Sequence, residues 1–189
     1  MKKILLIDNY DSFTYNLKYL IKKNYNGKII VKRNDKINEQ FLNSSIFDGF
    51  VISPGPKTPS EAGWSNLIID RYHKTRPIFG VCLGMQCINE YFNGKTIRSK
   101  KPVHGKSDQI NILKRKILFK NVPDKFFGAR YHSLICDVRN QDLKITSDYN
   151  NIPMSVEHER YNVMGVQFHP ESFMSGYGDV IIRNFLKIL

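Results

Sequence analysis

The sequence has few cysteines, and they are not arranged for a disulfide framework or a zinc site. Its 189 residues contain three, Cys82, Cys87 and Cys136, an odd number without a C-x-x-C pair. Disulfide scaffolds use even sets of cysteines, and zinc sites commonly use closely spaced pairs. We therefore expect no disulfide and no metal site, and a single reactive thiol remains open.

Long apolar runs are also missing. No segment approaches the roughly 20 consecutive apolar residues that a membrane-spanning helix requires. The run Ile4–Ile7 is too short for the core of a signal peptide, and no small-residue cleavage site follows it. We expect a first β-strand here, no membrane partner and a cytoplasmic protein.

Acidic residues are outnumbered by basic ones, 17 to 29, which gives a formal net charge of +12. Such a balance can indicate nucleic-acid binding. The basic residues are mostly lysines spread along the chain, and no helix-turn-helix, RNP-like or Cys/His finger pattern accompanies them. We expect no nucleic-acid partner. A solvated basic surface and a dock for an acidic partner both remain open.

The first half of the chain alternates strand and helix patterns. Strands are predicted over Lys3–Asp8, Lys28–Lys32, Asp48–Ser53 and Pro77–Val81, and helices after a Ser12 cap, within Phe41–Ile46, over Ser65–His73 and from Leu83 to about Phe92. Repeated strand–helix alternation with short connections indicates a parallel sheet covered on both faces. In such sheets, functional residues lie at the carboxyl ends of the strands.

The second half is richer in strands. They are predicted over Val103–Leu113, Ala129–Val138, Leu143–Thr146, Met154–His158 and Val163–His169, and a last helix over Asp179–Leu189. The apolar content of 41% and the chain length suit one globular domain. We predict a single-domain α/β fold, with a central mostly parallel sheet, helices on both faces and a mixed or antiparallel extension.

The most informative local pattern is a nucleophile elbow at the end of a predicted strand. Gly80 and Gly84 flank Cys82 in a G-x-C-x-G arrangement, and a helix follows. A side chain at either glycine would collide with the neighbouring strand or helix, and the helix N-terminus favours a thiolate. The free N–H of Leu83 can donate to an oxyanion. The alternative is that Cys82 is a buried structural cysteine.

A base and an orienting carboxylate for Cys82 occur near the end of the last strong strand. His169 and Glu171 lie two residues apart and share one face of an extended chain. Glu171 can therefore hold the imidazole in one tautomer and stabilise its charged form. The sequence predicts a Cys82–His169–Glu171 set, whereas Cys87 and Cys136 are expected to be structural.

Several segments resemble the class I, or triad, glutamine amidotransferases. They are Ser53–Gly63 (S-P-G-P-K-T-P-S-E-A-G), Gly80–Gln86 (G-V-C-L-G-M-Q) and Gly165–Ser172 (G-V-Q-F-H-P-E-S). Further segments are similar to the small subunits of anthranilate synthase and 4-amino-4-deoxychorismate synthase, namely Leu6–Thr14, His104–Lys106 and Tyr131–Leu134. The resemblance runs through the whole chain and implies one glutamine amidotransferase type 1 domain over residues 1–189.

The resemblance implies a glutaminase that hydrolyses L-glutamine and passes ammonia to a larger, chorismate-binding synthase subunit. The backbone of the Gly55 loop would supply oxyanion donors, and the backbone around Ser133 would hold the substrate's α-amino and carboxylate groups. The implied glutamine-binding positions are Gly55, Pro56, Lys57, Leu83, Gln86, Ser133 and Leu134. No cofactor is expected, and any Mg²⁺ requirement would belong to the partner.

The chain departs from the pattern of its relatives at three places. Lys57 stands where many relatives have a small residue, often glycine, Met85 replaces a common histidine, and Ser175–Gly178 differs after the H-P-E motif. A stand-alone γ-glutamyl hydrolase on the same scaffold remains an alternative to the synthase subunit. A basic nucleic-acid-binding module is a further alternative, and it would have to treat the Cys–His–Glu set as accidental. Whether the product is anthranilate, aminodeoxychorismate or both stays open.

Overall fold

The computed structural model describes residues 1–189 and is built around one nine-stranded sheet. The strands are β1 (Lys3–Asp8), β2 (Lys28–Arg33), β3 (Gly49–Ile52), β4 (Ile78–Val81), β5 (Lys95–Ile112), β6 (Lys125–Asp137), β7 (Leu143–Tyr149), β8 (Ile152–His158) and β9 (Val163–Val166). The helices are α1 (Thr14–Asn24), α2 (Glu39–Asn43), α3 (Trp64–Tyr72), α4 (Leu83–Tyr91) and α5 (Gly178–Leu186), with a short 3₁₀ turn at Pro59–Glu61.

The sheet has a parallel part and an antiparallel part. Its strand order is β2-β1-β3-β4-β9-β8-β7-β5-β6, and the first five strands in this order pair in parallel. From β9 onward each neighbouring pair is antiparallel. This arrangement confirms the predicted α/β class with an antiparallel extension, although that extension supplies four of the nine strands.

Helices cover both faces of the sheet because its parallel strands are apolar on both sides. In β1, Ile4 and Leu6 join the core cluster that includes α1 and α5, whereas Leu5 and Ile7 join the cluster that includes α2, α3 and α4. All four of these side chains are fully buried. Burial of each such side chain stabilises the fold by about 1.5–3 kcal/mol, which holds the carboxyl ends of the strands rigidly.

The predicted cap of α1 and the predicted end of β9 are both wrong. Ser12 does not cap α1; the Phe13 N–H bonds the Asp11 carboxylate at 2.8 Å, and Phe13 itself is the N-cap residue without a side-chain cap. Strand β9 ends at Val166, not at His169. The chain leaves β8 there, and His169 makes only a single bridge to Ala129.

The helices are also short. The longest has 11 residues, and none combines the length and apolar character needed to cross a membrane. Three loops lie at the carboxyl end of the parallel strands: the Asn9–Phe13 segment after β1, the Ser53–Gly63 segment after β3 and the turn at Cys82 after β4. This edge of the sheet is where the candidate site lies.

Candidate active site

Cys82 forms the turn between β4 and α4. Its backbone is in the left-handed region, with φ +52° and ψ −102°, and its N–H bonds the carbonyl of Val166 at 2.7 Å. Such a conformation costs a non-glycine residue about 1–3 kcal/mol. The surrounding strands therefore hold the sulfur in one place, at the edge of the sheet.

The flanking glycines allow the backbones to approach closely. A Cβ at Gly80 would lie 2.4 Å from the carbonyl carbon of Gly84, and a Cβ at Gly84 would lie 2.5 Å from the carbonyl oxygen of Ile52. Both contacts are with backbone atoms, which cannot rotate away. Glycine at these two positions is what lets α4 begin directly over the sheet.

The start of α4 offers an environment for an oxyanion and a thiolate. The N–H of Leu83 makes no hydrogen bond within the chain, and Cys82 keeps 7% of its surface exposed. The helix N-terminus carries a partial positive charge. By contrast, burial raises the pKa of the Cys87 and Cys136 thiols far above their usual range. Cys82 is therefore the thiol suited to nucleophilic chemistry.

His169 and Glu171 form a buried pair. The imidazole Nδ1 donates to Glu171 Oε1 at 2.7 Å, and the two side chains are 3% and 0% exposed. Burial alone would lower the pKa of His169, but the Cys82 sulfur and the Glu171 carboxylate raise it well above its usual range. The Cys82 sulfur raises the pKa of His169, but the Nε2 atom of His169 makes no hydrogen bond of normal geometry. This nitrogen is free to exchange a proton with a reacting group.

Aromatic side chains and backbone bonds fix the position of the His169 ring. Phe13 and Tyr131 pack against it edge to face, with ring centroids 5.6 and 5.0 Å away. The His169 N–H bonds the Ala129 carbonyl at 2.9 Å, and the Ser175 hydroxyl donates to the His169 carbonyl at 2.5 Å. Phe13 belongs to the first loop, so that loop contributes directly to the site.

The structure brings together some of the positions implied for glutamine binding. Gln86 Nε2 lies 3.4 Å from the Leu134 carbonyl oxygen, and Ser133 is exposed beside it on β6. Pro56, Lys57 and Leu83 line a cavity of about 210 Å³ next to the start of α4. Leu83 and Gln86, one from each group, both belong to α4, which begins directly after Cys82.

The Gly55–Lys57 loop packs tightly on α4. A Cβ at Gly55 would lie 2.8 Å from Leu83 Cδ2 and 2.6 Å from Asn9 Cβ. Lys57 has φ +72°, a conformation that favours glycine, and its side chain pairs with Glu61 at 2.9 Å. The backbone at this position therefore has a conformation typical of glycine although the residue is a lysine.

Sequence reasoning missed two buried polar groups, of which one contacts Cys82. Gln167 is fully buried, and its Nε2 lies 3.4 Å from the Cys82 sulfur. Its spacing of two residues from His169 was the available signal, because both then share one face. Arg130 is 1% exposed and bonds Asp108 and His132. No local pattern marked Arg130, since its partners lie on two strands.

A larger cavity of about 520 Å³ lies outside the Cys82 region. It lies between α1 and the segment 170–179, and its lining includes Tyr19, Glu171 and Phe173. Phe173 is 95% exposed.

No group of His, Cys, Asp and Glu side chains in the chain is arranged to hold a metal ion. The chemistry available at the site is therefore that of a thiol, an imidazole and a carboxylate.

Comparison with known proteins agrees with this geometry. The family model described as glutamine amidotransferase class-I matches residues 5–189. Anthranilate synthase component 2 of Cyanophora paradoxa is 42% identical over 98% of this chain and 99% of its own length. The protein of that name from Methanocaldococcus jannaschii is 41% identical over 99% and 98%.

Solved structures share the fold. A putative GMP synthase component from Thermoplasma acidophilum superimposes with a TM-score of 0.88 at 25% identity, over 100% of this chain and 94% of that one. A glutamine amidotransferase from Thermotoga maritima gives 0.73 at 16% identity, over 90% and 76%, a likeness of fold alone. From the family model and the full-length relatives, this chain belongs to the class-I glutamine amidotransferase family.

Proposed function

We propose that the chain is the glutaminase subunit of a chorismate-aminating synthase. It hydrolyses L-glutamine through Cys82, His169 and Glu171 and delivers the ammonia to a larger, chorismate-binding subunit. The observation that carries this proposal is the Cys82 sulfur on a strained elbow at a helix N-terminus, beside a buried His169–Glu171 pair. A buried structural cysteine would require neither of these features.

The first half of the reaction releases ammonia. The Cys82 thiolate attacks the side-chain amide carbon of glutamine, which forms a C–S bond and places negative charge on the carbonyl oxygen. The free N–H of Leu83 and the backbone of the Gly55–Lys57 loop donate to that oxygen. When the C–N bond breaks, protonated His169 gives its Nε2 proton to the nitrogen, which leaves as ammonia.

The second half releases glutamate. His169, now neutral, accepts a proton from a water molecule that attacks the thioester carbon. The C–S bond then breaks, which restores the thiolate and the imidazolium and yields glutamate. Glu171 holds Nδ1–H throughout, so Nε2 is the nitrogen that exchanges protons. No metal or cofactor is needed for either half.

The remaining positions would hold the substrate. The amide of Gln86 and the backbone of Ser133 and Leu134 provide polar groups for the α-amino and carboxylate groups of glutamine. Pro56, Lys57 and Leu83 form part of the wall of the neighbouring cavity. Lys57 and Glu61 both line that cavity and pair at 2.9 Å, so each charge there is matched by the other.

The relatives support a synthase as the partner. Those from Cyanophora paradoxa and Methanocaldococcus jannaschii are named anthranilate synthase component 2, and plant relatives are named beta subunits of anthranilate synthase. We therefore favour anthranilate over aminodeoxychorismate as the product. In this proposal residues 1–189 act as one amidotransferase domain in the cytoplasm, where the aminating subunit binds it.

Reconstitution with candidate large subunits tests the proposal. We expect glutamine-dependent amination of chorismate with one of them, and the same complex should also use ammonium salts. Cys82→Ala should abolish the glutamine-dependent rate and keep the ammonia-dependent one, while Cys87→Ala should keep both. Glutamine-driven turnover by Cys82→Ala would show that the nucleophile is wrong. Full hydrolysis of γ-glutamyl peptides by the isolated chain, without amination, would favour the stand-alone hydrolase.

A further inference from the structure

A hydrogen-bond network of buried polar groups leads from the middle of the antiparallel strands to the Cys82 sulfur. We infer that Gln167 is a further catalytic residue that donates a hydrogen bond to the Cys82 thiolate, and that Arg130 and His132 are positioning residues that hold this donor in place. The inference rests on the proposed function for its role in turnover. Its structural basis does not depend on the substrate.

The amide next to the sulfur has its orientation determined by its neighbours. Gln167 Nε2 lies 3.4 Å from Cys82 Sγ, and Gln167 Oε1 accepts from Gln86 Nε2 at 3.2 Å. Gln86 Nε2 also donates to the Leu134 carbonyl at 3.4 Å. Because the oxygen of Gln167 is taken by a donor, its NH₂ group is the end that faces the sulfur.

The end of this hydrogen-bond network that lies farthest from Cys82 is held by the buried Arg130 side chain. His132 Nδ1 lies 2.9 Å from the Leu134 carbonyl oxygen, and Arg130 Nε donates to His132 Nε2 at 3.1 Å. Arg130 also donates to Asp108 at 2.6 Å and lies 4.3 Å from the ring centroid of Tyr149. A guanidinium can only donate, so His132 must accept at Nε2 and donate from Nδ1.

The electrostatic setting keeps His132 in that single form. Burial and the Arg130 charge lower the pKa of His132 to about 4. It is therefore neutral at physiological pH and does not act as a second base. The Leu134 carbonyl consequently accepts two hydrogen bonds, one from His132 and one from Gln86. In this arrangement the Leu134 carbonyl holds the Gln86 amide, which in turn holds the oxygen of Gln167.

A donor at the sulfur has a clear chemical use. The contact between the Gln167 amide and the Cys82 sulfur is shielded from bulk water, since Gln167 is fully buried and Gln86 is 3% exposed. A charge-assisted N–H contact to an anion is stronger than a neutral one, and it weakens when sulfur becomes neutral in the thioester. Gln167 thus stabilises the free thiolate more than the thioester.

Alkylation of Cys82 in the isolated chain tests the inference without glutamine or a partner. The rate of iodoacetamide modification is followed against pH in the wild type and in Gln167→Met, which has similar length and lacks the donor. We expect the midpoint of the profile to move up by about one pH unit, and glutamine turnover to fall about tenfold with a smaller change in KM. Cys82→Ala identifies which part of the signal comes from Cys82, whose exposed fraction of 7% exceeds the 0% of Cys87 and the 2% of Cys136.

A folded Gln167→Met chain with the wild-type alkylation profile would show that Gln167 only fills space. Gln167→Asn, one methylene too short to reach the sulfur, is the second variant and should give the same upward shift. Since this readout needs no glutaminase activity, an unchanged profile in an active enzyme refutes the inference and leaves the proposed function standing. A shifted profile in a protein that never hydrolyses glutamine would support the hydrogen bond from Gln167 to the sulfur and refute the proposed function.

The positioning role is tested at Arg130. Arg130→Met should move the alkylation midpoint upward by about half a pH unit or more, because Leu134 and Gln86 lose their support. In Arg130→Lys, which keeps a cation and one strong donor, the midpoint should lie between those of Arg130→Met and the wild type. If Arg130→Met lowers the melting temperature but leaves the midpoint unchanged, Arg130 is structural only and its positioning role is wrong.

Discussion

At the scale of single residues, the His169–Glu171 pair determines which nitrogen of the imidazole reacts. The carboxylate occupies Nδ1 at 2.7 Å and both side chains are buried, so the ring has one tautomer when neutral. Phe13 and Tyr131 limit its rotation. Burial opposes the charged form, but the Cys82 sulfur and the Glu171 carboxylate outweigh it and raise the pKa of His169, which favours the imidazolium.

Glu171→Gln removes the charge that supports the imidazolium. It should lower the pKa of His169 and reduce glutamine turnover by roughly 100-fold. NMR titration of the imidazole nitrogens measures the first effect, and steady-state kinetics measure the second. Wild-type titration of His169 in the variant would contradict the pairing.

The same variant has a predictable effect on stability. The pKa of His169 is raised in the folded state, so its protonation stabilises the fold. This stabilisation is fully present below the pKa of histidine in the unfolded chain, about 6.5, and is lost as pH rises through the folded-state pKa. The stability advantage of the wild type over Glu171→Gln should therefore be largest near pH 6 and narrow at alkaline pH. Urea denaturation at a series of pH values measures it, and an advantage that grew with pH would be inconsistent with the pair.

Lys57 provides a test of backbone strain. Its φ of +72° costs a side chain about 1 kcal/mol relative to glycine. Its exposed pair with Glu61 is screened by solvent and returns less than that. We expect Lys57→Gly to raise the free energy of unfolding slightly and Lys57→Ala, which keeps the strain and loses the pair, to lower it. Equal stabilities of the two variants would argue against strain here.

The candidate residues were accessible from the sequence to different degrees. Cys82, His169 and Glu171 could be nominated because each lies in a short pattern with a chemical reason. Their participation in catalysis stays a prediction. Gln167 lies inside one of those patterns, but its contact with sulfur depends on how β9 pairs with β4. Arg130 also bonds Asp108 on β5, and the Ser175 hydroxyl accepts from the Ala129 N–H on β6; spacing alone does not reveal such distant partners.

At the scale of elements, the strand–elbow–helix unit of β4 and α4 is the feature that places the nucleophile. Its short strand is fully buried, and α4 starts at the next residue but one. The close contacts made possible by Gly80 and Gly84 hold α4 against β3 and β4. A change at these glycines should therefore affect the whole unit.

Gly84→Ala tests this packing. The added Cβ would meet the Ile52 carbonyl oxygen at 2.5 Å, so the variant should lose about 2–3 kcal/mol of unfolding free energy and most glutamine-dependent activity. Gly176→Ala is the matched control, because its Cβ would lie 3.6 Å from the nearest atom, the Phe127 carbonyl oxygen. It should change stability by less than about 0.5 kcal/mol. Urea midpoints measure both, and equal midpoints would mean that the elbow tolerates a side chain.

Element positions in the parallel half followed closely from local pattern. The bounds predicted for β1 match those observed, and β2, β3, β4 and α4 differ by one or two residues. The antiparallel half was less predictable. Strand β5 begins at Lys95 instead of Val103, because its polar first part is held by pairing with β6 and not by burial. The Ser12 cap failed because Asp11 supplies the acceptor.

At the scale of the whole molecule, one sheet joins the nucleophile and its base. Strand β4 pairs directly with β9, so Cys82 and His169, far apart in the chain, meet at one edge. The class of fold was predictable from strand–helix alternation. The strand order was not, because the pairing of β4 with the last strand is a long-range choice. Membership of the glutamine amidotransferases, predicted from short motifs, is confirmed by the family model and the relatives.

The convergence of three loops on Cys82 leads to a prediction for the assembled enzyme. We predict that the isolated chain hydrolyses glutamine slowly, because ordering of these loops by the proposed partner and chorismate would avoid wasteful ammonia release. We expect the glutaminase rate to rise about tenfold or more on adding the large subunit with chorismate. Equal rates of glutamate formation with and without them would refute this coupling.

The central claim is that Cys82 is the nucleophile toward glutamine. Its most direct test is peptide mapping by mass spectrometry after reaction with a glutamine analogue that carries an electrophilic diazoketone in place of the amide. The account predicts one adduct, on the Cys82 peptide, that excess glutamine suppresses and Cys82→Ala eliminates. Modification of Cys87 or Cys136 instead, or an adduct that persists in Cys82→Ala, would contradict it.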